Sequence, residues 1–173
     1  MISLIQNALP YKVLFAHFLF AFLILALVFR ESWGKVIVGF IHRHSLLLGL
    51  LVSLSAIVGS MFYSNILGFP PCELCWWQRV LIYPQAALFL VALRNKDRSV
   101  FNYSWVLSSL AALVSLYQIW VQSGGVSILD CTAVGGECLK VYVNAFGYIT
   151  IPVMSLTVSA YLLLLAYINR KHE

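Results

Sequence analysis

Four cysteines stand in two short-range pairs: Cys72 and Cys75 with Glu73-Leu74 between them, and Cys131 and Cys138 with Gly135-Gly136 among the residues between. A Cys-x-x-Cys pair closes a small ring, and its chemistry is thiol–disulfide exchange, in which one thiolate attacks a sulfur and another leaves. Pro70-Pro71 precede Cys72 and an apolar run follows Cys75. Proline suits the first positions of a helix, so Cys72 is predicted at or near a helix N-terminus. The N–H groups and dipole of such an end favour a thiolate. Two plainer accounts fit the same residues. One is a static disulfide; the other is half of a zinc site completed by Cys131 and Cys138, since zinc needs four ligands. The redox couple is the reading adopted, with no metal expected.

One turn beyond Cys75 stands Arg79, inside an otherwise apolar stretch. On a helix Cys75, Gln78, Arg79, Ile82 and Gln85 share one side, so Cys75 and Arg79 at i and i+4 face a common recess. A cation at such a depth marks a functional site or a buried pair. The plainer alternative is that Arg79 snorkels to a nearby interface. Gln118 and Gln122 are polar groups that could line the same recess, while Tyr117 and Trp120 beside them fit an interfacial aromatic belt. For Cys131 and Cys138 the bland account is a disulfide bracing a long loop. A relay, in which the loop pair collects electrons and the Cys72–Cys75 pair passes them on, explains both pairs together.

The elements that must position these groups are apolar. Of 173 residues 62% are hydrophobic and 10% charged, a departure from soluble proteins that points to a membrane. Runs of about twenty apolar residues can cross a hydrocarbon core, and five are legible, at roughly 11–29, 45–68, 74–93, 103–122 and 148–168. The first is too long for a signal-peptide core and lacks a small-residue cleavage site, so it is read as a retained helix. Between the first two, Trp33 to Phe40 carry apolar residues at i, i+3, i+4 and i+7, which predicts a short helix lying in the interface. Pro84 is expected to kink the third span.

Cation placement gives the orientation. Arg30, Lys35, Arg43, Arg94, Lys96, Arg98, Arg170 and Lys171 fall in one set of connections, and only Lys12 and Lys140 in the other. The first set is therefore read as cytoplasmic. The connections near 69–73 and 123–147 then lie outside, and they hold all four cysteines. Thiols on the oxidising side of a membrane are expected as disulfides. Four cysteines allow three connectivities, with both short pairs close in sequence. The net charge of +5 is spread over these topology signals, with no basic tract of the kind nucleic acid requires.

The run Pro71-Cys72-Glu73-Leu74-Cys75-Trp76-Trp77-Gln78-Arg79 resembles the signature of the DsbB/BdbC family of disulfide-bond formation proteins. Gly59-Ser60-Met61-Phe62-Tyr63-Ser64 before it and Phe146-Gly147-Tyr148-Ile149-Thr150-Ile151-Pro152 after the second pair extend the likeness over about 45–168. The resemblance implies an all-α integral membrane protein, a four-helix transmembrane bundle over 45–173. Residues 1–44 would add an extra N-terminal transmembrane helix and the interfacial segment. It implies a quinone-dependent oxidoreductase in a bacterial cytoplasmic membrane, with its cysteine loops extracytoplasmic. Its partner would be an extracytoplasmic thioredoxin-like thiol oxidase of DsbA/BdbD type, and its acceptor ubiquinone or menaquinone. Carried across by position, Cys131 forms the mixed disulfide with the partner and Cys138 is its mate. Cys75 faces the quinone, Cys72 is its exchange partner, and Arg79 is the quinone-side cation. Gln78, on the same helix side, and Gln118, near the outer end of the fourth span, are added from their positions as candidate quinone-binding residues. Many relatives have a histidine where Gln118 stands. A small structural or transport protein with two bracing disulfides is the competing account, and it leaves Arg79 unexplained.

Overall fold

The computed structural model describes residues 2–29, 34–126 and 140–171, so Cys131 and Cys138 lie outside the described residues. Among the described residues five α-helices follow one another: α1 (Ile2–Val28), α2 (Gly34–Met61), α3 (Glu73–Asn95), α4 (Val100–Gln122) and α5 (Ile151–Arg170). Among the described residues the only β-type pairing is one isolated bridge between Ala145 and Ile149. Leu9–Val28, Gly34–Ile66, Val100–Gln122 and Ile151–Arg170 are long and apolar enough to cross a membrane. α3 has the length, but Glu73, Gln78, Arg79, Gln85 and Arg94 make it too polar to qualify on apolarity alone.

The segment expected as a separate interfacial helix is corrected by the structure, because residues 34–40 are the first turns of α2. No proline interrupts Gly34–Met61, and its buried residues Gly34, Val38, Ile41, Ser45, Gly49 and Ser53 follow a single three-and-four spacing. One continuous stripe therefore packs along the bundle, and no break separates an interfacial piece from a spanning one. At 1.5 Å per residue this helix is about 42 Å long, more than a hydrocarbon core needs. It ends in a π-helical turn, Phe62–Ile66, whose wide loop is closed by Leu67 N donating to Phe62 O at 3.1 Å. The fifth helix starts at Ile151, three residues later than expected, with Pro152 in its first turn.

α2, α3, α4 and α5 pack in a ring, each against its two neighbours, and α1 lies outside it against α2 and α5. Lipid offers apolar side chains as good a home as a neighbouring helix does, so close approach of small residues and interhelical hydrogen bonds carry the packing. Gly49 of α2 admits the ring of Phe89, which is fully buried and packs on Phe101 of α4. Gln85 of α3 accepts from Ser104 Oγ at 2.7 Å and Ser108 Oγ at 3.2 Å, joining α3 to α4 in the apolar interior. Arg98 donates to Asn169 Oδ1 at 2.8 Å and to the His42 carbonyl at 3.2 Å, tying the α3–α4 connection to α5 and α2. That connection turns on Lys96, in left-handed conformation at φ 56°. The backbone N–H of Ser99, and then its hydroxyl, donate to the Asp97 carboxylate and hold its pKa below the usual range. Outward faces carry large exposed apolar residues such as Phe18, Val58, Val80, Leu113 and Trp120, as a lipid-facing surface does.

Candidate functional site

The site gathers where α3 begins. Cys72 is the N-cap of α3, extended at φ −73° and ψ 172°, and its carbonyl accepts from Trp76 N at 3.1 Å. This is the place that Pro70-Pro71 assigns it. One helical turn brings Cys75 back beneath it, and the two sulfurs are 2.9 Å apart, a contact longer than the ~2.05 Å of a disulfide bond. Cys72 is 4% exposed and packs with Leu74, Val114 and Tyr117. Cys75 is half-buried and lines a cavity of about 490 Å³.

Gln118 of α4 reaches both sulfurs. Its Nε2 stands 3.3 Å from Cys72 Sγ and 3.6 Å from Cys75 Sγ. Its Oε1 accepts from Gln78 Nε2 at 2.8 Å, and both glutamines are buried. The amide of Gln78 on α3 thus orients the amide of Gln118 on α4, so that N–H groups are presented to the sulfur pair. Both glutamines line the cavity, as does Gln122.

Arg79 is half-buried and lines the same cavity. It is held from two sides: Nε donates to Ser60 Oγ of α2 at 3.0 Å, and the guanidinium carbon lies 5.1 Å from the centroid of the Trp76 ring. The cation is therefore positioned by α2 and by its own helix, with no direct hydrogen bond to sulfur among those the structure gives it. Sequence reasoning placed Ser60 only within a motif and missed its role as the arginine's acceptor, which depends on where α2 crosses α3.

Two further groups were not singled out. The hydroxyls of Tyr63, in the π-helical turn, and Tyr83, on α3, are buried without a hydrogen-bond partner, and both tyrosines line the cavity. An unmatched buried hydroxyl is costly, and two of them on one cavity suit a ligand with oxygen acceptors. With Arg79, Lys12, Lys140 and the glutamines set in an otherwise mainly apolar wall, the lining suits a ligand with an apolar body and oxygen acceptors. The volume lies within the usual range for small-molecule sites.

Tyr63 also begins a chain of stacked rings. It stacks on Phe69 at 6.2 Å between centroids, and Phe69 stacks on Tyr142 at 5.0 Å. The end of α2 is thereby joined to the strip of chain that leads into α5. Cys131 and Cys138 were assigned the partner-facing exchange, and they lie outside the described residues.

The family described as disulfide bond formation protein DsbB matches residues 42–169. A probable disulfide formation protein C 2 of Bacillus cereus is 30% identical over 133 residues, covering 77% of this chain and 96% of its own length. The disulfide bond formation protein C of Bacillus subtilis is 37% identical over 108 residues, 61% of this chain and 78% of its own length. A probable disulfide formation protein of Oceanobacillus iheyensis is 42% identical over 106 residues, 58% and 70% respectively. No solved structure matches the chain significantly.

Proposed function

The chain belongs to the DsbB family of disulfide bond formation proteins, a transmembrane oxidoreductase family, and we propose that it reoxidises a thioredoxin-like protein outside the bacterial cytoplasmic membrane and delivers the electrons to a membrane quinone. The observation that carries this reading is the Cys72–Cys75 pair at the edge of a cavity that also holds Arg79 and two unpartnered tyrosine hydroxyls. In this reading α3 also crosses the membrane, its polar stripe turned to the bundle, and both cysteine-bearing connections are extracytoplasmic. In the same reading α2 to α5 form the oxidoreductase unit and α1 is added to it, so the boundary expected at residues 44–45 moves to the start of α2 at Gly34.

The exchange balances at each stage. A thiolate of the partner attacks the Cys131–Cys138 disulfide at Cys131 and releases Cys138; the partner's second thiol then resolves the mixed disulfide. The partner leaves oxidised and the loop pair is reduced by two electrons and two protons. The loop pair next attacks Cys72 and displaces Cys75 as thiolate, and resolution restores Cys131–Cys138 and leaves Cys72 and Cys75 reduced. Gln118 N–H groups beside both sulfurs favour the charge that develops on the departing sulfur. Ubiquinone or menaquinone, when bound, supplies the acceptor for two electrons and two protons. Arg79, Tyr63 and Tyr83 would hold its oxygens, and Gln78 and Gln118 close the cavity on the sulfur side.

The test uses the purified protein with a reduced thioredoxin-like protein and a water-soluble quinone, following quinol absorbance and thiol loss together. Turnover in the wild type and none in Cys75→Ser is expected. Absence of wild-type turnover, or equal turnover in the variant, overturns the reading.

A further inference from the structure

α1 lies outside the family match, which begins at residue 42, yet it borders the cavity. Leu9, Lys12, Val13, Phe15, Ala16 and Leu19 all contribute to the lining that includes Cys75 and Arg79. These positions follow a helical three-and-four spacing along one face, apart from Phe15 at its margin. The same helix exposes Phe18 and Phe22 elsewhere on its surface.

α1 is docked by a few specific bonds. Thr157 donates its hydroxyl hydrogen to Val153 O at 2.8 Å, so Thr157 Oγ1 accepts from His17 Nε2, also at 2.8 Å. His17 then carries its hydrogen on Nε2, and Nδ1 accepts from Tyr148 OH at 3.2 Å. Tyr161 of α5 donates to the Ala16 carbonyl, and its ring meets Phe20 edge-on at 5.2 Å. Tyr11 meets Phe146 in the same manner at 5.2 Å. Polar pins of this kind hold a helix in place where lipid competes for its apolar side chains. They fall on either side of Ala16 and fix its small side chain against the open volume.

We infer that α1 is the wall that sets the width of the acceptor cavity, and that Ala16, positioned by His17, is a specificity-determining residue for a flat, lipid-soluble acceptor with oxygen acceptors on its ring. The inference rests on the acceptor reading above and assigns a role to an element that the family match leaves out.

The test measures binding, with turnover left aside. Full-length protein in lipid nanodiscs is titrated with decylubiquinone, and quenching of tryptophan fluorescence gives Kd. Ala16→Phe puts a ring into the cavity and is expected to weaken Kd by about tenfold or more, in keeping with the cost of overfilling a packed site. His17→Leu adds no bulk at Ala16 but releases the pins to Thr157 and Tyr148, and should weaken Kd by about threefold to tenfold. Phe18→Ala, on an exposed position that does not line the cavity, should stay within about twofold, since isolated surface changes have small effects. Oxidation of one equivalent of a reduced thioredoxin-like protein without quinone is read in each variant as the report of an intact fold, and should be unchanged in Phe18→Ala. If Ala16→Phe loses that reaction, His17→Leu decides. Wild-type Kd in a variant that retains the quinone-free reaction overturns the inference and leaves the acceptor reading standing. Failure of the wild type to bind decylubiquinone overturns both.

Discussion

Gln118 Nε2 and Cys72 Sγ are 3.3 Å apart, although the residues belong to different helices and are 46 positions apart in the chain. The amide that approaches the sulfur is itself fixed, because Gln118 Oε1 accepts from Gln78. A donor held in this way stabilises the reduced, partly charged sulfur more than the disulfide. Gln118→Leu should make the Cys72–Cys75 couple more reducing by about 20–30 mV, taking about 1 kcal/mol for the lost hydrogen bonds. Redox titration of that pair in a Cys131→Ser/Cys138→Ser background measures it. An unchanged midpoint would mean that the contact has no electronic consequence.

Arg79 and Ser60 make a second separable pair. Arg79→Ala removes the cation and should raise KM for quinone by about tenfold or more, the worth of one charge-assisted hydrogen bond. Ser60→Ala removes only the acceptor for Nε and should have a smaller effect in the same direction. Partner oxidation through Cys131 should survive in both. Steady-state kinetics with the quinone varied distinguishes a positioned cation from one that merely snorkels, for which both variants would match wild type.

Packing of α2 on α3 depends on a missing side chain. A methyl at Gly49 would sit 2.6–2.8 Å from the ring of Phe89. Gly49→Ala should therefore destabilise the bundle by about 1–3 kcal/mol, read as a lower Tm in detergent. Pairing it with Phe89→Leu should recover part of the loss, because the clash is with the ring.

Gln85 tests interhelical hydrogen bonding. Its carbonyl takes both serine hydroxyls of α4 while its Nε2 donates to Leu81 O at 3.0 Å. Replacement by leucine should cost about 0.6–2 kcal/mol, the range for such bonds in membrane proteins. Ser104→Ala should cost less, since Ser108 remains. Equilibrium unfolding in mixed micelles would separate the two.

Helix positions were largely legible because long apolar runs have few alternatives in a membrane. The ranges 74–93 and 103–122 lie within α3 and α4. The start of α2 was misread because cations at Lys35 and Arg43 looked like a boundary, whereas an α-helix continues past a membrane surface when no residue breaks it. Cys72 at the head of α3 followed from two prolines. What the chain could not disclose was any distance between helices. The approach of Gln118 to sulfur, of Ser60 to Arg79, and of α1 to the cavity all depend on crossing geometry, which no periodicity encodes. Tyr63 and Tyr83 stayed hidden for another reason, since an unsatisfied hydroxyl is visible only once its surroundings are known.

The stacked rings of Phe69 and Tyr142 have a further effect on the cysteines. Cys72 is three positions after Phe69, and Cys138 is four positions before Tyr142. At full extension those chain lengths are at most about 11 Å and 14 Å. By chain length, Cys72 and Cys138 are thus each a short tether from one aromatic rivet, which is where the proposed exchange between the two pairs would begin. Tethering of this sort turns an encounter into an intramolecular event with a local concentration in the millimolar range or above. Phe69 and Tyr142 touch no electron, yet in the proposed relay they would set how often the two pairs meet.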